Sequence, residues 1–188
     1  LIDTFDVLWE IWSTCSKGST AVDTPEKYRD IFNDNFFVGL TRFNLTPEDL
    51  QTLFPDFSQQ LMDRKERMKA FPGIPELLKD LTNAKLAVFS SSYSDIVQVV
   101  LDNEGLHFGE ISCADQGKSK VKRINAFLEK HKLKKSDVIY VGDTLGDIKE
   151  MHEIGIAIAV VTWGFHDRAR LKTGKPEFIC DTPEELIK

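Results

Sequence analysis

Two carboxylates, Asp143 and Asp147, stand four residues apart in Val141-Gly142-Asp143-Thr144-Leu145-Gly146-Asp147, where an apolar run hands over to a helical pattern. Acids so spaced open into one crevice. They suit a hard cation such as Mg²⁺, which takes oxygen ligands and keeps some of its waters. Without a cation the two charges repel, and one carboxyl holds its proton more tightly. The same residues have a plain structural use as well, Asp143 as a helix N-cap and Asp147 as a favourable charge in the first turn. Spacing alone leaves both readings open. Ser90, with Ser91 beside it, ends another apolar run just before a helix. A hydroxyl and free backbone N–H groups at such a place hold an anion; Ser94 as an ordinary helix cap is the structural alternative. Lys118 and Lys120 flank the start of a third helix. The helix dipole disfavours a cation there, a cost that a bound anion offsets. Taken alone, they are equally well solvated lysines. Taken together, a hydroxyl, an ammonium and a carboxylate pair form a set for phosphate plus Mg²⁺.

The elements that must position these groups fall into two zones. From about Phe5 to Ala70 the patterns are helical and nothing reads as a strand. Phe5, Leu8, Trp9 and Trp12 share one helical face. Thr24-Pro25-Glu26 and Thr46-Pro47-Glu48 are helix starts, with Thr as cap and Pro in the first turn. Ser58 to Met68 is a third helical run. The aromatic residues here (Trp9, Trp12, Phe32, Phe36, Phe37, Phe43, Phe54, Phe57) are expected to pack a core. Phe71-Pro72-Gly73-Ile74-Pro75 breaks the pattern. Beyond it, helices Pro75–Leu81, Asp95–Asn103, Ser119–His131 and Leu145–Ile154 alternate with apolar runs at Leu86–Phe89, Glu110–Cys113, Val138–Val141 and Ile156–Val161. A short strand at Phe178–Cys180 and a helix at Pro183–Ile187 come last. Continuous apolar strands alternating with helices predict a doubly wound α/β fold with a parallel sheet covered on both faces. Ligands of such sheets sit at the carboxyl ends of the strands, where Ser90, Asp143 and the segment Thr162 to His166 lie.

The chain has 188 residues, enough for one domain with an appendage, and carries 24 Lys+Arg against 30 Asp+Glu, a net charge of −6. That balance argues against nucleic acid as a partner. No run is apolar enough for a membrane span, and the opening residues do not read as a signal peptide. Cys15, Cys113 and Cys180 are far apart, so a disulfide framework is not expected and the chain reads as cytoplasmic.

The order of parts resembles the haloacid dehalogenase-like hydrolase superfamily. Leu86-Ala87-Val88-Phe89-Ser90-Ser91 matches its second motif, Lys120 its third, and Gly142-Asp143-Thr144-Leu145-Gly146-Asp147 its fourth. Phe71 to Leu78 resembles the segment that re-enters the core after a helical cap. Val161-Thr162-Trp163-Gly164-Phe165 is similar to the phosphoglycolate phosphatase-like branch. Lys118 is the alternative for the third motif; Lys120 is favoured because Ser119 can cap the helix. The resemblance implies a cap over residues 5–70 and an α/β core over 71–188 plus residues 1–4. It implies a Mg²⁺-dependent phosphatase acting on a small phosphorylated metabolite through an aspartyl-phosphate. Ser90 and Lys120 would be catalytic, with Ser91 and Lys118 beside them on the substrate. Asp143 would bind the metal directly, and Asp147 directly, through water or through the lysine. Trp12 and Arg42 are conceivable lid contacts. The superfamily's first motif, an Asp-x-Asp-Gly-Thr-like loop carrying nucleophile and general acid, is not found. Leu1-Ile2-Asp3-Thr4-Phe5 resembles the residues directly after that loop, and Asp3 and Asp6 lie in an emerging helix. The first strand and both aspartates are therefore expected upstream of Leu1, with the 188 residues alone inactive. A phospho-ligand-binding protein without catalysis and a sugar-phosphate mutase of the same fold are the alternatives.

Overall fold

The computed structural model describes residues 1–16, 21–53 and 57–187 of the 188-residue chain. Phe54 lies outside the described residues. The chain opens with β1 (Ile2–Asp3) and runs into a helical lid of α1 (Phe5–Cys15), α2 (Pro25–Ile31), α3 (Phe36–Thr41), α4 (Pro47–Leu53) and α5 (Phe57–Asp63). It leaves the lid through β2 (Lys69–Ala70), which pairs antiparallel with β1, Ile2 opposite Ala70. This pair corrects the expectation that nothing up to Ala70 is strand-like, and it moves Asp3 from a helix into a strand. Two chain segments crossing side by side satisfy their backbone groups by pairing.

Local signals set the lid helices. Thr24 Oγ1 accepts from the Lys27 N–H, with Pro25 in the first turn. Thr46 and Asp49 cap reciprocally, at 2.7 and 3.1 Å. The helix that starts at Pro25 ends at Ile31, and a new one begins where Asn35 Oδ1 accepts from the Phe37 N–H and caps α3. Tyr28 is buried, and its ring meets Phe5, Trp9, Trp12 and Phe32 with centroids 5.2 to 6.1 Å apart. The aromatic residues therefore make a core, as their spacing implies. Trp12 is buried in it and donates its indole N–H to Val22 O, while Arg42 pairs with Asp34.

The core continues as α6 (Ile74–Asp80), β3 (Ala87–Phe89), α7 (Ser94–Asn103), β4 (Glu110–Ser112), α8 (Lys120–His131), β5 (Ile139–Gly142), α9 (Leu145–Ile154), β6 (Ala157–Val161), α10 (Arg168–Thr173) and β7 (Phe178–Cys180). The sequence patterns did not show α10; Asp167 caps it by accepting from the Arg170 N–H. The segment Pro183–Ile187 is a 3₁₀ turn. Ser94 does not cap α7; its N–H and hydroxyl bond Asp115, tying the start of α7 to the loop after β4.

All core pairings are parallel, β3 with β4 and β5 with β6 with β7. The α/β architecture is the one the apolar runs dictate, but the sheet is in two pieces. Among the described residues β3 pairs only with β4, and β5 only with β6. Residues of β3 and β5 line one cavity of about 1650 Å³. Ile139 and Val141 of β5 are 54% and 48% exposed, whereas parallel strands ordinarily bury both faces. Among the described residues no helix is long and apolar enough to cross a membrane.

Candidate active site

The fourth motif is built by a strand, a turn and a helix. β5 ends at Gly142, and α9 starts with Thr144, whose hydroxyl accepts from the Asp147 N–H at 3.0 Å. Thr144 is thus the N-cap that Asp143 was an alternative candidate for. Asp143 is left to line the cavity. Its Oδ2 accepts from the Phe165 N–H at 2.9 Å. Gly164 is required by this approach, because a Cβ there would stand 2.1 Å from Asp143 Oδ2.

Asp147 is engaged on both oxygens. Oδ1 accepts from Lys120 Nζ and from Tyr140 OH, and Oδ2 accepts from Thr144 Oγ1 at 2.8 Å and the Asp143 N–H at 3.3 Å. Lys120 is buried in the first turn of α8, which Ser119 caps by accepting from Lys122 N–H. Its second acid, Glu150 Oε2, stands 3.6 Å from Nζ. Ser90 follows β3. Its N–H donates to Ser112 O at 2.9 Å, and its hydroxyl accepts from Ser92 N–H at 3.0 Å. Arg123 bridges the carbonyls of Ser90 and Ser112 at 2.8 and 2.5 Å, joining the ends of β3 and β4.

Ser90, Ser91, Lys118, Lys120, Asp143 and Asp147 all line the one cavity. Within that lining Asp147 is in direct contact with Lys120 and with the Asp143 N–H. The two lysines differ in surroundings. Lys120 is buried between two acids, whereas Lys118 is exposed, with Nζ 5.4 Å from the Phe37 ring centroid in the lid.

Burial pushes the Asp143 carboxyl above its usual range, and the Asp147 charge adds to the effect. Burial acts the same way on Asp147, but Lys120 and the Thr144 hydroxyl outweigh it and hold that carboxyl below the usual range. Burial works against the Lys120 ammonium; Asp147, Tyr140 and Glu150 more than offset it and hold the amine well above its ordinary value. Asp147 and Lys120 thus form a settled ion pair, while the surroundings of Asp143 disfavour its charged form. Asp143 Oδ1 takes no hydrogen bond among the described residues. That oxygen is the one that could hold a hard cation, and Asp147, whose Oδ1 is taken by Lys120, would reach such an ion through water. Among the described residues no three His, Cys, Asp or Glu side chains are grouped so that they could hold a metal ion by themselves. The remaining ligands would be waters and substrate oxygens, a usual arrangement for Mg²⁺.

Several residues at this site were not picked out from the sequence. Glu150 is one whose signal was present, an acid on the α9 face that also buries Asp147, Met151 and Ile154. His166 gave none. Its Nδ1 accepts from Leu145 N–H and its Nε2–H donates to Arg29 O, both at 3.0 Å, so it joins the site to the lid. Further bonds press lid on core. Gly146 N–H donates to Phe32 O, Arg29 Nε to Phe165 O, and Asn35 Nδ2 to Glu150 Oε1.

Helices packed over the carboxyl ends of parallel strands, with an acid pair, a buried lysine and a serine lining one cavity, make an α/β fold with a helical insertion. Residues 1–161 match the model of the haloacid dehalogenase-like hydrolase family, and the chain belongs to that family. Among its relatives, the phosphoglycolate phosphatase of Synechococcus elongatus is 27% identical over 151 residues, which cover 78% of this chain and 71% of that protein. The phosphoglycolate phosphatase of Vibrio parahaemolyticus is 27% identical over 152 residues, 75% of this chain and 66% of that protein. Among solved structures, a haloacid dehalogenase-like hydrolase from Streptococcus pneumoniae superposes with a TM-score of 0.83 at 21% identity, covering 100% of this chain and 91% of that one. A hydrolase from Pseudomonas syringae gives 0.80 at 17% identity, with 100% and 91% covered. At such identities the structures speak for the fold alone.

Proposed function

We propose that the protein is a Mg²⁺-dependent phosphatase that hydrolyses a small phosphate monoester through an aspartyl-phosphate. The observation that carries the reading is the single cavity lined by Ser90, Lys120, Asp143 and Asp147, in which burial and the Asp147 charge push the Asp143 carboxyl up. Two relatives are named phosphoglycolate phosphatases, which supports a small phosphate monoester as the substrate class.

In this reading Ser90 holds a phosphoryl oxygen through its hydroxyl, with Ser91 beside it. Lys120 neutralises charge on the transferring group. Bound at Asp143, Mg²⁺ supplies charge neutralisation at the phosphoryl oxygens. An aspartate carboxylate attacks phosphorus, the bond to the leaving oxygen breaks, and a neighbouring acid gives that oxygen its proton. Water then cleaves the acyl phosphate and releases phosphate. The reading assigns the attacking aspartate to a further parallel strand seated between β3 and β5, whose facing edges take no partner among the described residues. Asp3 and Asp6 do not replace it: both are exposed, one in β1 and one in α1.

Hydrolysis of p-nitrophenyl phosphate tests the proposal. The protein carrying this chain together with such a strand is expected to turn the ester over only with Mg²⁺. The 188-residue chain alone is expected to be inactive. Turnover without metal, or turnover by the 188 residues alone, refutes the assignment of metal or nucleophile respectively.

A further inference from the structure

Glu150 sits on α9 three residues after Asp147, buried at 8% exposure, and lines the same cavity. Its two oxygens face different parts of the molecule. Oε1 accepts from Asn35 Nδ2 in the lid at 2.9 Å, and Oε2 stands 3.6 Å from Lys120 Nζ in the core. A buried carboxylate is costly unless each oxygen is satisfied, so this one depends on both neighbours. Asn35 is not a loose partner. Its Oδ1 caps α3 by accepting from Phe37 N–H at 3.1 Å, which fixes where the amide points. The donor therefore travels with the lid.

We propose that Glu150 is a positioning residue that couples lid closure to the phosphate site through the chain Asn35–Glu150–Lys120. The inference rests on the reading that Lys120 serves a phosphoryl group. One ammonium stands between two carboxylates, Asp147 and Glu150. With the lid seated, Asn35 satisfies Glu150, and Lys120 is free to stay with Asp147 and the incoming anion. With the lid lifted, Glu150 loses its donor and draws Nζ toward itself. By linkage, phosphate at the site must then favour the seated lid by the same factor.

The test is a double-mutant cycle on affinity for inorganic phosphate, measured by calorimetry in the presence of Mg²⁺ on the protein that carries this chain together with the further strand. Asn35→Ser keeps a hydroxyl to cap α3 but is too short to reach Glu150. Glu150→Gln keeps the shape and removes the charge that competes for Lys120. Asn35→Ser is expected to weaken phosphate binding about fivefold, the lower range of such couplings. In the Glu150→Gln background the same change is expected to have no effect. Equal weakening in both backgrounds, or none in the parent, overturns the coupling. Lys120→Ala is the control. If it leaves phosphate affinity unchanged, or if the parent binds no phosphate, the site reading falls and takes the inference with it. If Lys120→Ala weakens binding and the cycle is additive, only the inference falls.

Discussion

Asp143 is a carboxyl whose surroundings disfavour the anion. Its folded-state value lies above that of the unfolded chain, because burial and Asp147 both disfavour the anion. A carboxyl raised in this way costs stability as pH rises from its unfolded value toward its folded one. Asp143→Asn is therefore expected to raise the melting temperature at pH 7 and to leave it unchanged well below pH 4, while abolishing phosphatase turnover. Melting curves at the two pH values check the first part. Asp147 behaves in the opposite sense. Its carboxyl is depressed, with Lys120 and Thr144 outweighing burial, so its contribution is present above the unfolded value and is lost as the solution is acidified through the folded one. The two lysines separate on the same grounds. Lys120→Ala strands two buried acids, Asp147 and Glu150, and is expected to cost about 3–5 kcal/mol of stability as well as activity. Lys118→Ala removes an exposed side chain, with an expected change within about 0.5 kcal/mol and a far smaller loss of turnover. Denaturant titration and kinetics on the pair decide; a larger loss of turnover from Lys118→Ala moves the catalytic lysine by two residues.

At the scale of elements, the start of α9 has two duties. Thr144 caps it from within, and Gly146 provides the surface on which the lid sits, donating its N–H to Phe32 O. A Cβ at Gly146 would stand 2.3 Å from Asp34 O, a backbone atom that cannot swing aside. Gly146→Ala is expected to hold the lid off its seat and to lower kcat/KM by about tenfold or more, since small misplacements in a closed site are costly. Unchanged kcat/KM with an unchanged fold would falsify the role given to the seat. The glycine was visible in the motif. Its reason was not, because the opposing atom belongs to Asp34, more than a hundred residues away along the chain.

At the scale of the whole molecule, the interrupted sheet dominates. β3 and β5 both border the cavity of about 1650 Å³, and apolar Ile139 and Val141 are left half exposed. Such a chamber lacks the close packing of an ordinary interior. The 188-residue chain is expected to bind an apolar fluorescent dye at neutral pH and to melt with low cooperativity. A sharp transition without dye binding counts against an open chamber in solution.

What the residues alone determined is whatever is written locally. The caps at Thr24, Thr46 and Ser119, the apolar strand runs and the order of motif residues depend on neighbours within a few positions, so their chemistry could be read along the chain. The two-residue strands β1 and β2 were missed because each exists only through the other. Tertiary structure alone decided that Lys120 is buried and Lys118 exposed, that Asp147 belongs to Lys120 while Asp143 faces the cavity, and that Asn35 meets Glu150 across 115 residues. Those outcomes turn on burial and on partners from distant segments, which residue spacing does not encode.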